Sequence, residues 1–363
     1  MHAFTGFAGA TRNSRRLVLA LITAVLAIGL AAGYLTSPAQ AADTDTRGLF
    51  GSQDPTYDGV YRQSAAIMGL TVNRAPVPRA AVDWLLRQQC SDGSFAAFRA
   101  DTQSPCPEPD PVNFTGPDVN STAMAVMALE SLSAGDYTPR APVARAAQRA
   151  AAWLRGQQTS DGGWEWIRGL GSDSTSTGMA LAALGRKGTP GFRQGSAWLR
   201  NQMIVTSECA VPFQPEGPVD PLSTSWTLIG AQGSLPYDRH RGKRLATPCT
   251  DAPATLLAAG DWLTTALVDG DGRLPSAFDA TQTDWNSTAL ATLGVSQSHG
   301  STKAMRLGVA ALQDNVTAYA TSGDAYIPAA LGTLLMVAHA SGANPRDFGG
   351  ENLTQRLLAT LQK

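Results

Sequence analysis

The chain has 363 residues, 43% of them hydrophobic, and its 28 basic and 29 acidic side chains nearly cancel. A net charge of −1 leaves no electrostatic footprint for nucleic acid, and none is expected as a partner. The four cysteines form no C-x-x-C pair or Cys/His cluster, which argues against a metal centre, and no cofactor is expected.

The N-terminus reads as an export signal. Arg12, Arg15 and Arg16 precede a nearly unbroken apolar run from Leu17 to Leu35, and Ala39-Gln40-Ala41 supplies a small-residue cleavage site. Residues 1–41 are therefore expected to be a signal peptide. Left uncleaved they would anchor the chain, because about 20 apolar residues can cross a bilayer. Ser14-Arg15-Arg16 also resembles a twin-arginine signal. On either reading the remainder is expected outside the cytoplasm, secreted or at the cell surface, with residues 42–57 as an extension and 58–363 as a single domain. Cys90, Cys106, Cys209 and Cys249 all follow the signal, an even count suited to an oxidising compartment. Pairing Cys90 with Cys106 closes one loop and leaves Cys209 for Cys249.

Two alternating patterns fill the rest. The first is a helical stretch with a tryptophan that ends at an Asp-Gly turn. It is clearest as Trp84-Leu-Leu-Arg-Gln-Gln before Asp92-Gly93, and as Trp153-Leu-Arg-Gly-Gln-Gln before Asp161-Gly162-Gly163-Trp164. Weaker copies surround Trp198 and Trp262. Glycine stops each helix by adopting positive φ. The second pattern is an aspartate before an Ala/Leu/Met-rich run: Asp118-Val-Asn-Ser-Thr-Ala, Asp173-Ser-Thr-Ser-Thr-Gly, Asp220-Pro-Leu-Ser-Thr-Ser and Asp284-Trp-Asn-Ser-Thr-Ala, with looser copies at Asp58 and Asp324. Aspartate there is an N-cap signal, worth about 0.5–2 kcal/mol, and its recurrence reads as capping rather than as a cation ring.

The apolar-all-round helices belong inside and the tryptophan helices outside. Inner helices are expected near 58–70, 118–132, 173–185, 220–231, 284–295 and 324–340. Outer ones are expected near 76–89, 140–156, 191–203, 252–267, 303–316 and 346–361. The unpaired first inner and last outer helix complete a sixth pair, so the expected fold is all-α, a closed α6/α6 toroid of twelve helices. Long loops (90–117, 158–172, 204–219, 268–283) run from outer to inner helices. They gather at the end where the inner helices begin, and free helix N–H groups would favour acceptors there. One tension follows: Cys209 belongs at that mouth and Cys249 at the opposite end.

Gln-Gln-Thr-Ser-Asp161-Gly-Gly-Trp164, with the Asp-x-x-Ser-Thr-Ala starts, resembles the prenyltransferase/squalene-oxidase repeat of terpenoid cyclases, protein prenyltransferase β-subunits and transcobalamin-type carriers. The resemblance covers nearly all of the chain after the signal, and implies the same toroid with its site at the mouth. Class II cyclases carry Asp-x-Asp-Asp-Thr-Ala, whose middle aspartate is the acid. This chain has Asn120 and Asn286 there, and an amide cannot serve as the proton donor. Prenyltransferases need Asp, Cys and His for zinc at these starts. The histidines lie elsewhere: His2, His240, His299 and His339, the last expected to be a satisfied core or cap residue. No catalytic residue is assigned.

Tyr57, Tyr61, Asn120, Trp164, Glu165, Trp166, Trp285, Asn286 and Tyr326 are the expected ligand-binding set, aromatic walls with a few polar groups. Asn113 and Phe114 are expected at the same mouth. Trp164 is better explained by packing of its repeat, and Glu165 with Asp161 is an acid/base pair on spacing alone. The reading is an exported, monomeric, non-catalytic carrier of a bulky, partly apolar small molecule, corrinoid or isoprenoid-like. A membrane-associated uptake or lid protein would stand in for the β-domain that the transcobalamin-type carriers add. The alternatives are a divergent cyclase or prenyltransferase-like enzyme, a secreted polysaccharide lyase or hydrolase with Tyr57, Tyr61, Glu165 and Arg168 at its site, and a structural envelope protein.

Overall fold

Aspartate or proline followed by small and apolar residues starts most of the buried helices. The computed structural model describes residues 46–135, 137–185, 189–233, 248–250, 253–276, 279–298 and 301–363. All of these fall in one compact unit, Ala41–Lys363. The expected signal, residues 42–45 of the extension, and His2, His240 and His299 lie outside the described residues. Among those described there are thirteen α-helices and one two-stranded sheet. No described helix is long and apolar enough to cross a membrane.

Six helices are buried almost all round: α1 (Gly59–Val72), α3 (Val119–Ala134), α5 (Ser174–Leu184), α7 (Pro221–Gln232), α9 (Trp285–Gln297) and α12 (Pro328–Ser341). The others bury one side: α2 (Arg79–Arg87), α4 (Arg140–Gly156), α6 (Pro190–Thr206), α8 (Ala259–Asp269), α10 (Thr302–Asp314), the short α11 (Val316–Ala320) and α13 (Leu353–Ala359). Strands β1 (Thr321–Ser322) and β2 (Ala325–Tyr326) make a hairpin before α12.

The buried helices touch in succession: α1 with α3, α3 with α5, α5 with α7, α7 with α9, α9 with α12, and α12 with α1. Small residues make the last approach tight. A Cβ on Gly332 of α12 would lie 2.4 Å from the carbonyl oxygen of Ala65 of α1, and one on Gly69 would lie 2.6 Å from that of Gly332. The chain ends reinforce it. Gly48 and Gly51 N–H donate to the carbonyls of Gln362 and Thr360, and Gln362 N–H donates to that of Leu49, each at 2.9 Å. Residues 46–53, expected only as an extension, thus pair with the last turn of the chain.

One clasp recurs at four helix starts. The Asp-Ser-Thr aspartate accepts from the serine N–H: Asp118 from Ser121, Asp173 from Ser176, Asp220 from Ser223 and Asp284 from Ser287, at 2.7–2.9 Å. The threonine hydroxyl accepts from the N–H of the preceding loop: Thr122 from Phe95, Thr177 from Trp164, Thr224 from Val211 and Thr288 from Leu274, at 2.9–3.1 Å. The aspartate N–H returns to the carbonyl of that same loop residue at 2.8–3.0 Å. The motif is therefore a structural anchor that ties the preceding loop, an Asp-Gly turn in three of the four cases, to the next buried helix. Thr288→Val, which keeps the shape and strands the buried Leu274 N–H, is expected to cost about 1–3 kcal/mol in a denaturant melt.

Several expected boundaries are corrected. Asp324 does not cap α12. Pro328, which lacks an N–H and has its φ fixed for a helix start, occupies the first turn, Ile327 is the N-cap, and Asp324 lies in the β1–β2 turn. Asp58 precedes α1 without a capping bond and faces Arg62 at 3.6 Å instead. The stretch expected as a helix from 346 begins with a tight hairpin, Phe348 opposite Glu351, because Gly349 and Gly350 take positive φ. The stretch expected from 252 begins as a 3-10 turn at Leu256–Ala258 before α8.

Both expected disulfides form, Cys90–Cys106 and Cys209–Cys249, each with Cα atoms 5.7 Å apart. The second resolves the tension over its ends. Cys249 N–H donates to Asp261 in the first turn of α8 at 3.0 Å, so residues 248–250 lie beside that turn and the 207–220 loop at once.

Candidate functional site

The starts of the buried helices carry hydroxyls and amides on inner positions. Thr175 of α5 and Ser223 of α7 share a hydrogen bond of 2.8 Å between hydroxyls. Tyr319 of α11 donates its phenol to Asn286 of α9 at 3.2 Å. Burial pushes the Tyr61 phenol up to about 12. Burial raises Tyr319 still further, helped by the nearby Tyr61. Asn120, second residue of α3, is 5% exposed, and neither atom of its amide makes a hydrogen bond with a described residue. Tyr61, Asn286 and Tyr319 thus lie together near the Asp284 carboxylate, and Asn120 is an unsatisfied amide at another helix start.

The helix N–H groups expected to be open are largely occupied. Val60 N–H donates to Ala97 O at 2.8 Å, Val119 to Trp166 O at 2.9 Å and Ser174 to Phe213 O at 2.9 Å. In α7 and α12 the corresponding position is proline, Pro221 and Pro328, with no donor to satisfy. The loops from the neighbouring repeat thus close the helix starts, and dipole-assisted capture of an acceptor loses its donors there.

The remaining expected residues separate by role. Trp164 is 1% exposed and donates its indole N–H to Leu154 O at 2.8 Å, a packing residue. Trp166 joins two repeats: its N–H donates to Asp173 at 3.0 Å, and its ring stacks on Phe114 at 5.4 Å. Glu165 accepts from the N–H groups of Gly169 and Gly171 at 2.8 and 3.0 Å, which holds its loop. Asp161 accepts from Gly163 N–H and the Ser172 hydroxyl, both at 2.9 Å, and from the Trp198 indole at 3.1 Å. The spacing-based acid/base pair of Glu165 with Asp161 is thereby replaced by two loop anchors. Trp285 lies under the Arg273 guanidinium at 5.9 Å, and Tyr326 under that of Arg356 at 5.3 Å. Both rings are half-buried, while Tyr57 is 58% exposed. Asn113 is exposed and donates its amide to Asp110 at 2.7 Å. His339 is half-buried in the last turn of α12. Tyr319 was missed in the sequence because it follows an outer helix in a stretch read as a connection; its signal is an aromatic set among small residues.

The carboxylates are the other chemistry present. Burial raises Asp118 to about 6 and Asp173 to about 7, against the hydrogen bonds each accepts. Both oxygens of Asp173 are taken, by Ser176 and Trp166. Because the folded value exceeds the ordinary one near 3.8, the native state binds the proton more tightly than the unfolded chain. The stabilisation is full below about pH 4 and is lost as pH rises toward 7. Asp173→Asn is therefore expected to flatten the fall in melting temperature between those values.

No family model matches the sequence, and no curated protein matches it. Among solved structures, a protein from Actinoplanes aligns at 17% identity and TM-score 0.36, over 78% of this chain and all of that one. The ent-copalyl diphosphate synthase of Streptomyces platensis aligns at 15% identity and TM-score 0.49, over 78% of this chain and half the length of that enzyme. The type II terpene cyclase MstE of Scytonema aligns at 13% identity and TM-score 0.49, over 90% of this chain and 99% of that one. The solved structures similar to this chain include type II terpene cyclases, the group its repeats resemble.

Proposed function

We propose that the chain is an exported, non-catalytic binding protein. Its six buried helices and their outer partners close an α6/α6 toroid within a single domain, and a bulky, partly apolar small molecule sits where the buried helices begin. Asn120 carries the reading. A buried amide with both atoms unbonded costs about 1–3 kcal/mol, and a ligand offering a donor and an acceptor would recover it. Tyr61, Tyr319 and the Asn286 amide add apolar surface and polar handles of the kind found in ligand pockets. The ligand is corrinoid or isoprenoid-like, a membrane-associated uptake or lid protein completes delivery, and the mature chain begins near residue 42 and acts as a monomer.

Native mass spectrometry of the protein purified from its own culture medium tests this. A co-purifying molecule lost in Asn120→Leu supports it. A protein that emerges empty, or that turns over the molecule offered, contradicts it. Turnover of a polyprenyl substrate would instead establish the alternative, cyclase-like reading.

A further inference from the structure

A cleft of about 630 Å³ opens on the outside of the molecule between α2 and α4. Leu86, Pro142, Ala146 and Ala152 supply its apolar lining, and Gln89, Arg145, Gln148 and Arg149 its polar lining. The volume falls in the range of small-molecule sites, in an open, shallow cleft whose lining is half apolar and half polar. Among the described residues no carboxylate pairs with either arginine. Helix α4 carries Arg140, Arg145, Arg149 and Arg155, all exposed, and has no acidic residue along its length.

One of the two arginines is held in place. Gln89 is 8% exposed, and its amide donates to Gly93 O at 3.0 Å and Ala146 O at 2.9 Å. Its oxygen is left free to accept from the Arg149 guanidinium, which fixes that side chain at the cleft. The repeat supplies an internal comparison. Gln158 makes the same two bonds one repeat later, to Gly162 O and Gly191 O at 2.8 and 2.9 Å. Counted from those anchors, Gln194 stands where Arg149 does and Arg155 where Leu86 does. The repeat fold therefore does not require paired arginines beside an apolar lining.

We propose that this cleft binds a single-chain aliphatic carboxylate, its head on Arg145 and Arg149 and its chain along Leu86, Ala146 and Ala152. The guanidinium fork matches a carboxylate, and each charge-assisted bond is stronger than a neutral one. From Pro142 to Ala152 the lining follows α4 for about 15 Å, room for an extended chain. An anionic polymer would leave the apolar lining unused. The site is independent of the one at the helix starts.

Calorimetric titration of the mature protein with decanoate, below its micelle concentration, tests the proposal. Saturable one-site binding is expected, weakened about tenfold or more by Arg145→Ala with Arg149→Ala and little by Arg155→Ala, which sits on the same helix away from the cleft. Acetate, which has the head without the chain, is expected to bind at least about tenfold more weakly than decanoate. All three arginines are exposed, and circular dichroism checks that the variants fold. No saturable binding, equal binding by the double variant, or equal loss in Arg155→Ala would overturn it. So would arginine-dependent binding to anionic phospholipid vesicles without any to free decanoate, which would make the face a lipid-surface contact.

Discussion

Gly332→Val is expected to lower stability by about 3 kcal/mol or more in a denaturant melt, with α1 and α12 losing protection together. The Cβ would fall 2.4 Å from the Ala65 carbonyl oxygen and 2.7 Å from the Ala66 nitrogen. Those are backbone atoms of a buried helix, so relief requires α1 to move from α12 rather than a side chain to turn. Gly69 approaches Gly332 from the other side at a similar distance, so neither helix has slack. Gly156→Ala provides the contrast. Nothing lies within 4 Å of its added Cβ, and at the exposed end of α4 the change is expected to be neutral or to stabilise by up to about 1 kcal/mol.

Trp164→Ala is expected to cost about 3–5 kcal/mol of stability, the range for emptying a buried aromatic site. The residue is 1% exposed and its N–H is bonded to Leu154 O, so truncation leaves a cavity and removes one of the two hydrogen bonds that this carbonyl accepts, the other coming from Gln157 N–H. The indole also lies against Gly195 of α6, where an added Cβ would come within 2.7 Å of the ring. Trp285→Ala should cost far less, because its ring is half-buried beneath Arg273. Melting both variants with and without the co-purifying ligand separates packing from binding. Trp164 is expected to change stability alone, and Trp285 the ligand-dependent rise.

Much of the helical frame was legible in the sequence, because local chemistry sets it. Helix α4 runs over the residues expected for it, 140–156, and the Asp-Ser-Thr starts of α3, α5, α7 and α9 fall within a residue of their expected places. Capping aspartates and small-residue runs act over a few neighbours, which a sequence displays. The starts of α12 and α13 were less legible, since a proline and a glycine pair there overrode an aspartate and a helical pattern. The site was harder still. That Ala97, Trp166 and Phe213 would satisfy the N–H groups of α1, α3 and α5 depends on contacts between repeats, to which no local signal points. Glu165 and Asp161 looked reactive because carboxylates look alike in sequence; only their partners reveal anchors.

The account turns on the closure of the last buried helix against the first, and amide hydrogen exchange measures it directly. Peptides spanning residues 46–53 and 358–363 should exchange slowly in the intact protein, because Gly48, Gly51 and Gln362 donate across the junction. Removing Leu361–Lys363 should release that protection and speed exchange in α1 and α12 together. Fast exchange at both ends of the intact chain, with α1 and α12 still protected after the truncation, would contradict the closure.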